Sequence, residues 1–333
     1  MSVPATPAGQ LRFTAILAGG AVSALCILWL LRGLPLGGAA MWLSPLPLLA
    51  VALTFGVADA GLALLVAALP LLLLAGWHAM VSHMLTVGLP VLLCSALGLA
   101  VPPGSPPRLG LPVVALAMLG ALVFLLVGLA MMDQPGGLHG WLLAEFQAQI
   151  QAMVSQGARQ GAQPPNAETL AKLAQMAHLA AHALPVAMGF WYLGAMALNA
   201  TLAQRLVQRF GLGQRPPVLF KALELPRWFW PLPLLLAALV LVLPEGPRYL
   251  AGGVAEILLL PFLMVGLAVV HTAAGRASSP RLALFAFYLA FFVLLPVMLV
   301  VIGLGFAERW ANLRGRISAR ANSGTRDPPE DRT

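Results

Sequence analysis

Residues 110–131 read GLPVVALAMLGALVFLLVGLAM, a run without one charged or hydrogen-bonding side chain. As a helix rising 1.5 Å per residue it is about 33 Å long, enough to cross a hydrocarbon core of about 30 Å. Lipid offers the backbone no hydrogen-bond partner, so a crossing segment of this kind is helical. Apolar runs at 13–31, 39–58, 60–76, 84–101, 170–204, 229–244, 249–272 and 282–306 repeat the pattern over most of the chain. The spacing predicts an all-α, polytopic transmembrane helical bundle of about eight or nine spans, filling residues 13–306.

Composition excludes a soluble protein. Hydrophobic residues make up 60% of the 333 and charged residues 9%, against about 25% charged in a soluble domain. The net charge of +8 sits in loops and at the C-terminal end, a pattern of membrane orientation, and no nucleic-acid partner is expected. Cys26 and Cys94 both lie in apolar runs and read as small core residues. Residues 1–12 form a short polar lead with no small-residue cleavage site, so the first run is expected to be retained. Residues 307–333 form a polar, Arg-rich tail, expected to be disordered beyond about Arg320.

The loop 205–227 carries Arg205, Arg209, Arg215, Lys221 and Arg227 against Glu224. That excess of cations places it in the cytoplasm, and counting back puts the N-terminal lead and Arg108 on the same side. Nine full crossings would then leave the tail arginines outside, so the Pro296-interrupted last run is read as re-entrant. Residues 39–58 and 60–76 are separated by so little polar sequence that a tight hairpin is predicted there, with Asp59 capping its turn. Residues 132–169 keep an apolar residue every three to four positions, and predict an amphipathic extracytoplasmic segment.

In the first run, Ala15, Gly19 and Ser23 recur every fourth residue, with Gly20 and Ala24 on a neighbouring row. Small side chains at that spacing allow close helix packing, within the bundle or against a partner. Trp29, Trp42, Trp77, Trp141, Trp228, Trp230 and Trp310 fall near run ends and read as interface anchors.

Polar groups are sparse inside the runs, which makes each one a candidate. Glu256 lies several residues inside its run, and a charge in a span faces a cavity or a partner. His178 and His182, spaced i, i+4, share a helix face in the arrangement a divalent metal uses, although HxxxH alone lacks the glutamate of a metalloprotease motif. With Asn199 these residues form the candidate ligand-binding set. Solvated or packing roles are the plainer alternative for the histidines, and a hydrogen bond to a neighbouring helix for Asn199. No phosphate-binding loop, dinucleotide fingerprint, nucleophile elbow or acid/base pair occurs, so neither an enzyme nor a cofactor is expected.

At WLSPLPLLAVALTFG (42–56), LPRWFWPLPLLLAAL (225–239), GLAVVH (266–271) and GFAERWANLRGR (305–316), the chain resembles the YybS-like bacterial membrane proteins, whose domain is of unknown function. That family is similar, over its N-terminal six spans, to the S components of energy-coupling-factor transporters, which capture vitamins or metal ions. The resemblance implies a multi-pass protein of the bacterial inner membrane and a small-molecule substrate. It also implies a membrane-protein partner, the coupling subunit, docked on the first span through Ala15, Gly19 and Ser23. An assembly or regulatory protein binding other proteins or lipid is the alternative, and a metal-ion binding or transport subunit a second.

Overall fold

The structure, a computed structural model, describes residues 7–102, 104–161, 163, 165–213 and 215–323. Residues 1–6 of the lead and 324–333 of the tail, with Arg326 and Arg332, lie outside them. No strand occurs among the described residues. Among the described residues six helices are long and apolar enough to cross a membrane, and a bent pair raises the number to seven.

The helices are α1 (Pro7–Leu31), α2 (Gly37–Leu43), α3 (Pro45–Phe55), α4 (Val57–His83), α5 (Leu89–Leu99), α6 (Gly110–Ala130) and α7 (Gly137–Arg159). They are followed by α8 (Ala167–Arg209), α9 (Pro231–Val240), α10 (Glu245–Ala274), α11 (Pro280–Val293), α12 (Leu295–Ala311) and α13 (Leu313–Ser323). They divide into two compact units, one holding residues up to Leu116 with Tyr192–Pro226, the other Ala117–Trp191 with the residues from Arg227 on.

In the first unit α1 is the packing centre. Its small-residue row is internal: Gly19 faces Val51 and Ala63, Gly20 rests on the Ala63 carbonyl and Val66, and Ala24 and Leu28 pack on Ala67 and Leu71. Gly19, Gly20, Ser23 and Ala24 are buried and Ala15 is partly so. The chain's own α3 and α4 thus pack on this row, the internal one of the two readings. The faces of α1 left exposed carry Phe13, Leu17, Val22 and Leu25.

The run from Val57 to Leu99 is far too long for one crossing. At Gly76 the dihedrals leave the helical region (φ 86°, ψ 171°), and the chain folds back so that Leu64 meets Gly88 and Leu92 meets Gly61. The expected turn between α3 and α4 falls at Gly56, φ 108°. Asp59 does not cap it. Its Oδ1 accepts from Arg12 at 2.8 Å, with Asp59 1% exposed. Arg215 donates to the carbonyls of Val101 and Pro102. The antiparallel fold-back puts the Leu99 end of α5 beside the start of α4, so Arg12, Arg108 and Arg215 gather at one end of this unit.

The same unit holds a buried polar knot. Ser23 Oγ donates to the Ser44 carbonyl at 2.9 Å and lies 3.2 Å from His83 Nε2. Since the single hydroxyl hydrogen is used on the carbonyl, His83 Nε2 is the donor. Asn199 donates to the Trp42 carbonyl at 2.7 Å.

In the second unit α10 is the hub, with 72% of its apolar window buried. The apolar run expected at 229–244 supplies only α9, ten residues long and about 15 Å, half a crossing. The last run breaks at Leu294 and bends by 115°. Two of the stretches quoted above, 225–239 and 305–316, converge here on α10. Phe229, Trp230 and Phe306 all surround Phe262, and the guanidinium of Arg309 lies 5.4 Å from the Trp230 ring. Trp230 is thus a core residue and not an interface anchor. Asn312, at φ 44°, turns α12 into α13, where Glu308 takes both the backbone N–H and the Nε of Arg314.

Gly266 lies against the Val301 carbonyl, where a Cβ has no room, whereas nothing stands within 4 Å of a Cβ at Gly303. Gly266→Ala is expected to lower the melting temperature of detergent-purified protein, by an overpacking cost of about 1–3 kcal/mol. Gly303→Ala is expected to leave it unchanged or raise it; equal effects at the two positions would refute the close-approach account.

Candidate ligand cavity

A cavity of about 710 Å³ opens in the second unit, where the end of α6, the start of α7, the middle of α8 and the first three turns of α10 meet. Its polar lining is Gln134, His139, His182, Glu245, Arg248, Tyr249 and Glu256. Two of the four residues singled out from sequence, His182 and Glu256, share this wall. Asn199 does not belong to it, being engaged with Trp42 in the first unit, and His178 is absent from the lining.

Local sequence explains how each wall is built. Between α6 and α7 the chain reads DQPGGLHG (133–140), and Gly136 and Gly137 both adopt left-handed dihedrals, φ 72° and 60°. Only glycine enters that region without cost. The turn delivers His139 onto α8, where its Nε2 lies 3.2 Å from His182 Nδ1 and its ring 4.9 Å from that of Tyr249. On α10, Tyr249 and Glu256 are seven residues apart and share a face. Gly253 lies between them, so that Phe124 and Pro185 pack against the backbone itself. The Tyr249 hydroxyl donates to the Ala181 carbonyl at 2.7 Å, tying α10 to α8. Leu138, Leu142, Ala181 and Leu250 seal the apolar floor.

The hydrogen-bond geometry fixes the tautomers. His182 Nδ1 stands 3.0 Å from the His178 carbonyl, and a carbonyl only accepts, so this nitrogen bears the hydrogen. It shares that hydrogen with His139 Nε2, which must be bare, and His182 keeps Nε2 as an acceptor. The i, i+4 histidines therefore meet through the His178 backbone carbonyl. Among the described residues no group of three His, Cys, Asp or Glu side chains is placed to hold a metal. Glu256 Oε2 is buried with no hydrogen-bond partner.

His139 was not among the residues singled out from the sequence. The signal was the double glycine three and two residues before it, which marks a tight turn able to aim a side chain back at the preceding helices.

The fold and this cavity define a multi-span helical membrane protein with a polar chamber built around one central helix. A family model described as "Predicted membrane protein (DUF2232)" matches residues 21–307. The chain belongs to that family. Comparison with curated proteins and with solved structures yields no match.

His139 is held below its ordinary pKa of 6.5, first by burial and then by the neighbouring His182 and His178. Its neutral form therefore contributes stability that is present above about pH 6.5 and lost as pH falls toward the lowered value, where the folded state must also take the proton. The melting-temperature advantage of wild type over His139→Asn is expected to shrink between pH 7.5 and 5. A gap that stays constant or widens on acidification would contradict the neutral assignment.

Proposed function

We propose that this protein is a substrate-binding membrane subunit for a small molecule, of the transporter S-component type, with the cavity around His139, His182, Tyr249 and Glu256 as its binding site. The observation that carries the reading is a chamber of ligand size bearing a buried, unpartnered carboxylate oxygen. Other buried polar atoms also lack a partner, Asp59 Oδ2 and His83 Nδ1 among them, but Glu256 is the one of these whose residue lines the cavity, where a ligand can offset the cost of an unsatisfied polar atom. Ligand sites combine an apolar wall with a few convergent polar groups in the same way. The notion that this is a non-enzymatic protein rests on the missing acid/base and nucleophile signatures.

The end of the first unit that gathers Arg12, Arg108 and Arg215 is taken as cytoplasmic, by the excess of cations there. Counting crossings from that end turns the α6–α7 turn, and so the chamber, away from the cytoplasm in a bacterial inner membrane. The surrounding lipid is the partner implied by the exposed apolar faces.

A thermal-shift screen of detergent-purified protein against vitamins and divalent metals tests the binding role. A ligand is expected to raise the melting temperature of wild type by several degrees and that of Glu256→Ala much less. A complete screen without any stabilising compound would refute the substrate-binding reading. For orientation, a cysteine at position 213 is expected to react with an impermeant maleimide only after cells are permeabilised; labelling of intact cells would reverse the assignment.

A further inference from the structure

Resting on the binding reading above, we propose that the cavity takes an amphipathic primary amine, its ammonium hydrogen-bonded to Glu256 and its apolar body lying along Tyr249, Leu138 and Leu250. The polar atoms of the wall divide by chemistry. Glu256 Oε2 is buried without a partner, and His182, whose Nδ1–H is committed to the His178 carbonyl and to His139, retains Nε2 as a lone-pair acceptor. The Tyr249 hydroxyl is spent on the Ala181 carbonyl, so it has no hydrogen to give a ligand. The α8 and α10 sides of the wall thus offer acceptors, the remaining N–H of His139 and the Gln134 amide standing on the α6–α7 side, and the group that matches the acceptors is a multiple donor.

Charge points the same way. The lining holds Glu245, Glu256 and one cation, Arg248. That guanidinium is on the exposed rim, its Nε given to the Leu243 carbonyl. It sits two turns before Glu256 on α10, about 12 Å away along the axis. An anionic head group driven to the depth of Glu256 would meet a carboxylate with its nearest cation beyond reach. A cation there gains a charge-assisted hydrogen bond of the strong class and the faces of Tyr249 and His139, whose ring centroids stand 4.9 Å apart. A primary ammonium has three hydrogens, enough for Glu256 and His182 Nε2 together.

Probes that share a phenethyl body and differ in head group test this by calorimetry in detergent at pH 8. They are phenethylammonium, its N,N,N-trimethyl derivative and 3-phenylpropionate. Phenethylammonium is expected to bind wild type best. The quaternary ion, which cannot donate, is expected to bind at least tenfold more weakly, and the carboxylate not at all. Glu256→Gln should weaken phenethylammonium at least tenfold, about 1.4 kcal/mol, with Glu256→Asp as the second variant should the glutamine protein fail to fold. Tighter binding of 3-phenylpropionate, or equal affinity of phenethylammonium for wild type and both variants, would overturn the proposal. Failure of phenethylammonium alongside a stabilising vitamin or metal overturns the amine class and spares the binding role, whereas silence from every compound in both sets overturns both.

Discussion

Direct contact between helix backbones is the interaction on which the rest of this structure depends. In lipid, helices gain nothing from hiding apolar side chains from one another, so association rests on close packing and on the few polar bonds between them. Glycines with a neighbour's carbonyl oxygen in the space of their missing Cβ provide that packing throughout the chain. Gly20 meets Ala63, Gly110 meets Glu224, Gly266 meets Val301 and Gly305 meets Phe262. These contacts set α1 against α4 in one unit and α10 against α12 in the other.

The same closeness creates the conditions for a chamber. Gly253 lets Phe124 and Pro185 come up to the α10 backbone, while the PGG turn carries His139 across to His182. Large side chains in these positions would fill the space with hydrocarbon. What remains is a polar interior whose hydrogen bonds are mostly closed among the protein's own groups, with the carboxylate of Glu256 left over. The contrast with the first unit is instructive. There Asp59 Oδ1 is answered by Arg12, and Ser23 joins the Ser44 carbonyl to His83, so that polarity holds helices together, while Asp59 Oδ2, Ser44 Oγ and His83 Nδ1 stay without a partner and line no cavity described above.

How much of this was legible in the sequence follows from the range of each signal. Apolar run length is local, and α1, α6, α8 and α10 are where it put them. The fold-back inside Val57–Leu99 was visible only as the gap between 76 and 84, because its marker is a single backbone conformation at Gly76. The shortness of α9 was hidden because Arg227–Phe229 and the residues after Val240 are apolar enough to extend its run without being helical in the same stretch. Asp59 and Trp230 were misplaced for a shared reason. Their partners, Arg12 and Phe262, are distant in the chain, and a residue's own neighbourhood says nothing about who will face it. Glu256 and His182 could be paired from topology alone, since counting crossings puts both at one level, whereas Asn199 sits in another unit and only shared their polarity.

The fold-back at Gly76 also bears on how the protein is made. A Cβ there would touch nothing within 4 Å, so the bend is written into backbone torsions and not imposed by surrounding helices. Its two limbs are joined with no hydrophilic connector long enough to rest in the headgroups, Trp77 and His78 being the residues at the tip. With so short a tip neither limb can lie in lipid without the other, so the bilayer receives the pair as one element whose backbone bonds are closed within its helices.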